Sequence, residues 1–452
     1  MCGRGNGPGF LAGLNLGMHG YLISWLEYHR PQGCLRLPSY SLSRVAPLGA
    51  HVGYPSSIPL QSSDSFAEQP SADKLMIITH AKIVAREGEF RNGWVETDGE
   101  MLSAVHFGSS PSQGGLDAQG WILCPGWIDL QINGGFGFDF TADPTRVWEV
   151  GAKLVRYGVT DFLPTLLSAP KKVYAQAIEV YRQGPPEGWR GARPLGWHFE
   201  GPFLNPDKRG AHNLGALRSP DPDFAQDWSR ENGVCMVTMA PELPGALDLA
   251  RELVSRGVIL SAGHSMATRD EAELALEAGY ASATHLYNAM PSLNHRNPGL
   301  VAKVLLDRRF TAGLISDGIH VHPDMLDLAW RLKGADGIAL VTDAVGMLGL
   351  PPGSFVQGGM EVIVDDSAAR LADGTLAGSV LSLDKALRNM VEFTGMSIGQ
   401  ILPALSRTQS RLLHLDQNGE VAPGFRADLT LVDRGGHVMM TIVDGKVVYS
   451  AG

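Results

Sequence analysis

The feature that most constrains this 452-residue chain is a pattern repeated eight times from residue 125 onward. A short apolar run ends in polar or chemically able residues, and a helix-length amphipathic segment follows. The runs are GWIDLQIN, VTDFLPTL, PLGWHFEGP, VCMVTMAPE, GVILSAGHS, ASATHLYNAM, FTAGLISDG and GIALVTDA. Helical stretches between them include 144–157, 171–182, 244–256, 268–278 and 323–334, and Asp143 before Pro144 is a capping signal. Eight such units over roughly 250 residues predict an α/β fold, a closed (β/α)8 TIM-type barrel spanning 125–415.

The flanks of that region are β-rich. Residues 76–124 read as short strands with turns at EGEFRNG and TDGE, and 416–452 read the same way. Two such flanks can pair into one small β-sandwich domain built from both ends of the barrel. Helices are expected at 380–394 and 397–414, between the last barrel strand and that domain. Residues 1–75 differ: they are rich in Gly, Pro and Ser, and Glu27 is the only acid before Asp64. They are expected to be a poorly structured extension without a catalytic role. An over-extended start with Met76 as the real one, a transit peptide and an accessory arm all fit that composition.

Hydrophobic residues make up 44% and charged residues 19%, the balance of a globular enzyme. The formal net charge of −10 disfavours nucleic acid and anionic lipid as partners, so neither is expected. Cys2, Cys34, Cys124 and Cys235 show no C-x-x-C spacing, and isolated thiols point to a reducing, cytoplasmic setting. No apolar run reaches the length of a membrane span.

In a closed parallel barrel the chemistry gathers where the strands exit. Those exits carry Gln131 and Asn133, Glu200, His264, His285, Asp317 with His320, and Asp343. A single histidine in GHS or THL reads as a hydrogen-bonded strand-end residue, and a single glutamate as a salt-bridged one. Two histidines one β–α unit apart, with a carboxylate in the same barrel mouth, instead match a catalytic metal site of three protein ligands with a place left for water. Glu200, His264 and His285 are therefore the candidate ligands. Asp343, in LVTDAVG, is the candidate general base and acid. His198 shares the face of Glu200 and reads as a packed supporting residue.

Seven stretches together carry a resemblance. PGWIDLQINGGFG, HFEGPFLNPDKRGAHN, SAGHS, THLYNAMPSLNHRNPG, SDGIHVHP, LVTDA and GTLAGS, in this order over about 76–450, resemble the N-acetylglucosamine-6-phosphate deacetylases of the amidohydrolase superfamily. The resemblance implies Glu200, His264 and His285 as metal ligands and Asp343 as catalytic acid/base. It implies His212, beside Ala211, at the sugar and the reacting carbonyl, with Asn288 and Ala289 near the phosphate. Arg296 matches an arginine that reaches a phosphate across a dimer interface, His320 a further substrate-binding histidine, and Leu376, Ala377 and Gly378 a loop lining the sugar pocket. His295 and His322 have no matching role, and Lys208 and Arg209 read as a solvated pair.

Where the superfamily at large has H-x-H holding a second metal, this chain has Gln131 and Asn133. Amides are poor zinc ligands beside imidazole, so one divalent ion per subunit is expected, zinc or ferrous iron. The reaction implied is removal of the acetyl group from N-acetyl-D-glucosamine 6-phosphate in amino-sugar catabolism, by a homodimer. Another N-acyl amino-sugar phosphate, such as the galactosamine epimer, a deamination on the same barrel, and a non-catalytic scaffold are the alternatives, since fold alone does not choose among them.

Overall fold

The structure, a computed structural model, describes residues 75–84, 88–111, 114–357, 360–364 and 368–452. The N-terminal extension, with Cys2 and Cys34, lies outside the described residues.

Eight parallel strands form the barrel, each from one of the apolar runs. They are Trp127–Ile132, Val159–Leu166, Trp197–Glu200, Val234–Met239, Ile259–Ala262, Tyr280–Ala283, Thr311–Leu314 and Ile338–Leu340. Neighbours in this order pair in parallel register. Nearly every position in them is buried, because helices cover the outside and side chains fill the inside. Closure between the eighth strand and the first is made just past the end of strand eight. Asp343 N donates to Gln131 O at 2.8 Å and Asn133 N to Ala344 O at 2.7 Å. Below them the Asp129 carboxylate accepts Thr342 N at 3.2 Å and Thr342 Oγ1 at 2.6 Å, so a side chain completes the ladder.

The helices fall close to the expected places. Lys171–Gln183, Ala246–Ser255, Arg269–Glu277, Pro323–Lys333 and Leu383–Thr394 are continuous. The stretch 144–157 is a 3-10 turn, the α-helix Val147–Leu154 and a second 3-10 turn. The single helix expected over 397–414 is a correction: it is three pieces, Ile398–Ile401, the 3-10 turn Leu402–Leu405 and Arg407–Leu412. Pro403 lacks the N–H that a continuous helix needs there. No described helix is long and apolar enough to cross a membrane.

Strands from both flanks join one antiparallel-rich sheet. Its order runs Lys446–Ser450, Val438–Val443, Leu429–Val432, Ile122–Pro125, Met76–Val84, Phe90–Asp98, Met101–Phe107. The sheet curls on its own core of Ile78, Val95, Leu102, Leu429 and Ile442, and a bridge from Met101 to Arg426 brings its far edge back to the C-terminal flank. The layers expected of a sandwich are thus continuous in hydrogen bonding. The sheet is tied to the barrel by Arg193, which pairs with Asp161 on the second barrel strand and with Asp428 and Asp444 of the C-terminal flank.

One element has no counterpart in the sequence reading. Gly353–Gln357, Met360–Val364 and Ala369–Leu371 form a three-stranded antiparallel sheet over the barrel mouth. It holds the turn after it: Leu371 N donates to Thr375 O at 2.8 Å and Ala377 N to Ala369 O at 2.9 Å, and Ser379 N then reaches Asp343 O at 3.0 Å.

Candidate active site

Glu200 is the last residue of the third strand, and Phe199 beside it points the opposite way. Phe199 packs edge-on against Tyr174 at 4.8 Å and Trp228 at 5.0 Å, which fixes the strand that carries the glutamate. His264, His285 and Asp343 lie two or three residues past their strands, and each has a positive φ: 49°, 33° and 48°. L-residues adopt this conformation at a cost on the order of 1–3 kcal/mol each. Here it turns each side chain inward over the barrel axis.

The three candidate ligands meet. His264 Nε2 is 3.1 Å and His285 Nε2 3.0 Å from Glu200 Oε1, and the two nitrogens are 3.0 Å apart. His264 Nδ1 donates to the Lys208 carbonyl at 2.8 Å, which leaves Nε2 as a lone pair facing the carboxylate. His285 Nδ1 has no partner among the described residues, so nothing draws its proton away from or onto Nε2, and with that nitrogen as a lone pair the three converging atoms would repel one another unless a cation lay among them. That donor set fits a divalent ion held by nitrogen and oxygen ligands. Burial would raise the Glu200 carboxyl, but the His264 and His285 imidazoles hold it well below the ordinary range.

Gln131 and Asn133 stand beside the same cluster. Gln131 Nε2 donates to Glu200 Oε1 at 3.0 Å and to Asp343 Oδ1 at 3.1 Å, and Asn133 Nδ2 donates to Asp343 Oδ1 at 2.7 Å. Amide N–H groups thus stand between the carboxylates. Burial, with the charge of Glu200, pushes the Asp343 carboxyl up to about 6, against the pull of His285, His320 and the Asn133 amide.

His212 is buried. Its Nδ1 accepts from Ser168 N at 3.1 Å and Ser168 Oγ at 2.9 Å, so its proton is on Nε2, which lies 3.8 Å from Glu200 Oε2. Burial, reinforced by His264, pushes the imidazole down to about 3, so at neutral pH it is an uncharged N–H donor facing the site. His320 Nδ1 is 2.6 Å from Asp317 Oδ2, which orients that ring. His198, by contrast, is satisfied inside the barrel, on Leu130 O and Thr238 Oγ1 at 3.1 and 2.7 Å.

A cavity of about 440 Å³ opens over this cluster. Asn133, Glu200, Ala211, His212, His264, His285, Asn288, Ala289, His320, Asp343, Leu376, Ala377 and Gly378 all line it. Gly378 has φ +92°, and a Cβ there would lie 2.3 Å from Val345 Cγ1, so the loop passes this close only as glycine. Arg296 is not brought in: it is exposed, on the loop 291–298, and does not line the cavity of its own chain.

Two residues at the site, Arg370 and Glu242, escaped sequence reasoning, and Lys208 differs from the solvated pair expected of it. Arg370 lines the cavity from the three-stranded sheet. Lys208 is half-buried: its ammonium donates to Met290 O at 3.0 Å while its carbonyl holds His264. Glu242, just past strand four, accepts Asn205 Nδ2 at 2.9 Å, Ser265 Oγ at 2.7 Å and Met266 N at 2.6 Å, clamping the two loops on either side of His264. Its place at a strand exit, in MAPELPG, is the one signal that could have marked it.

Comparison with known proteins bears directly on this arrangement. The amidohydrolase family model matches residues 122–448, the barrel together with most of the C-terminal flank. This chain belongs to the amidohydrolase family. Among relatives in that family, the N-acetylglucosamine-6-phosphate deacetylase of Bos taurus is 39% identical over 351 residues, 74% of this chain and 85% of the relative. The one of Lysinibacillus sphaericus is 33% identical over 82% of this chain and 97% of its own. Among solved amidohydrolases, the Thermotoga maritima N-acetylglucosamine-6-phosphate deacetylase superposes with a TM-score of 0.76 at 34% identity, covering 83% of this chain and 100% of that one. A mutant of the Mycobacterium smegmatis enzyme, solved in complex with N-acetyl-D-glucosamine-6-phosphate, gives 0.76 at 29% identity over the same shares. Metal dependence is general in the amidohydrolase family, and the Glu200, His264 and His285 group is where this chain can meet it.

Proposed function

We propose that this protein hydrolyses the acetamide of N-acetyl-D-glucosamine 6-phosphate to D-glucosamine 6-phosphate and acetate. The observation that carries the reading is the convergence of Glu200, His264 and His285 with Asp343 in the mouth of a barrel that superposes on a deacetylase relative. A single divalent ion, zinc or ferrous iron, held by Glu200, His264 and His285 would supply Lewis-acid activation of water and carbonyl. Gln131 and Asn133, amides turned toward carboxylates, support one ion rather than two.

Asp343 has one oxygen for chemistry. Its Oδ1 already accepts from Gln131 and Asn133, so Oδ2 is the atom that takes a proton from the attacking water and returns it to the leaving amine. His212 Nε2–H donates to the acetyl carbonyl oxygen as negative charge builds there, and its neutrality spares it a proton loss during turnover. His320, Asn288 and Ala289 bind the sugar phosphate, and Leu376, Ala377 and Gly378 close over the ring and exclude water. Arg296, exposed and outside its own cavity, completes the phosphate site of a second copy in a homodimer. The cytoplasm, reducing and rich in sugar phosphates, is the setting we infer; the buried, unpaired thiols of Cys124 and Cys235 suit it.

Acetate release from N-acetylglucosamine 6-phosphate by metal-loaded protein is the test, with the galactosamine epimer run beside it. No acetate from the glucosamine substrate would overturn the reading.

A further inference from the structure

The N-terminal end of the barrel, opposite the active site, carries a second cavity of about 670 Å³. It opens at the beginnings of strands five to eight, and the residues around it are unlike the rest of a chain with net charge −10. Arg308, Arg309, Lys333, Arg411 and His414 line it, against a single carboxylate, Asp336.

The pairing of these groups is unequal. Arg309 is neutralised by Asp307 and Glu273, at 2.7 and 2.6 Å. The Asp336 carboxylate is engaged by Arg407 at 2.9 Å, from outside the cavity lining. Arg411 donates only to the backbone carbonyl of Asp336, and Lys333 Nζ only to the carbonyls of Asp307 and Phe310, at 2.8 and 2.6 Å. Arg308 makes no side-chain hydrogen bond or ion pair among the described residues. Three cations therefore face one cavity without a carboxylate of their own. Burial, with repulsion from Arg308 and Arg411, pulls the Lys333 ammonium down to about 8 despite the nearby Asp307. Val258, Ile259 and Leu412 give the same cavity an apolar part of its lining.

We propose that this cavity binds a phosphate monoester carrying a ring, with Arg308, Lys333 and Arg411 on the phosphoryl oxygens and the ring over the apolar lining. Guanidinium forks match phosphate geometry, and an ammonium adds a point charge. The ligand would also relieve the mutual repulsion of the three cations. The site lies at the opposite end of the barrel from the hydrolytic centre, so it is a separate binding site and does not rest on the reaction assigned above.

The test uses the metal-loaded full chain and adenosine 5′-monophosphate, followed by titration calorimetry. Wild type is expected to bind it, and adenosine at least tenfold more weakly. R308A, which removes a side chain that holds nothing in the fold, and R308A with R411A should weaken the nucleotide at least tenfold. Both variants should keep the wild-type Tm, which certifies that they fold, and the wild-type kcat/KM for deacetylation. Inorganic phosphate should bind more weakly than the nucleotide, because it cannot use the apolar lining. The proposal is overturned if wild type does not bind the nucleotide at millimolar concentration. It is overturned equally if the variants bind it as wild type does, which would place the anion elsewhere on the chain.

Discussion

Asn133 Nδ2 donates to Asp343 Oδ1 at 2.7 Å, while Asn133 Oδ1 stays buried without a hydrogen-bond partner among the described residues. The asparagine thus immobilises the carboxylate. Replacing Asn133 by Ala should lower kcat by about tenfold to a hundredfold while bound metal, measured by elemental analysis, is unchanged. Asp343→Asn should lower kcat further, by roughly 10²–10⁴-fold, again with metal retained. Near-normal turnover in D343N would remove Asp343 from the chemistry.

The loops beside His264 lean on Glu242. Glu242→Gln keeps the size but weakens the clamp on Asn205, Ser265 and Met266. Loss of such outer support costs about 10–100-fold in metal affinity or activity. A chelator competition series on wild type and E242Q should show that shift, and activity should return when metal is raised. Unchanged metal affinity would reduce Glu242 to a packing role.

Because the ion binds the folded chain, its removal should also lower stability. At about a thousandfold excess over Kd the linkage is worth about 4 kcal/mol. Thermal unfolding with and without chelator measures it, and a Tm independent of metal would argue against the Glu200, His264 and His285 site.

Arg193 lies between Asp161 and Asp428, whose side chains are 0% and 4% exposed. Arg193→Met leaves the buried Asp161 carboxylate without its cation, while Asp428 keeps Arg426, and should destabilise the chain by about 3–5 kcal/mol in urea titrations. The catalytic cluster is elsewhere, so kcat should hold under native conditions.

Asp129 is buried, and its carboxyl is pushed up to about 7 by that burial, against hydrogen bonds from Thr342 and Gln131. Its unfolded value is about 3.9. Between those values the folded chain binds the extra proton, so this group's contribution to stability falls as pH rises from about 4 to about 7 and is flat above. Urea midpoints across that range should show the slope in wild type and a shallower one in Asp129→Asn, since the raised Asp343 and Asp161 carboxyls remain.

Much of the barrel is legible in order along the chain. Apolar runs of strand length and amphipathic stretches are local signals, and the residues at their ends necessarily face the barrel mouth. Glu200, His264, His285 and Asp343 could be read for that reason, as could Met76 opening a strand. The three-stranded sheet at 353–371 was not, because its short strands matter only through the loop they hold over Asp343. Pro403 breaks a helix that periodicity alone continues.

What the sequence by itself determined is therefore the repeat, the strand exits and the kinds of side chain placed there. Only the tertiary structure decided which atoms face one another. It set the tautomers of His212 and His264, the free oxygen of Asp343, the clamp of Glu242, and the unpaired cations at the far end of the barrel. Those depend on distances between residues remote in the chain, and hydrogen bonding and charge interaction are settled over a few ångströms of space rather than by position in sequence.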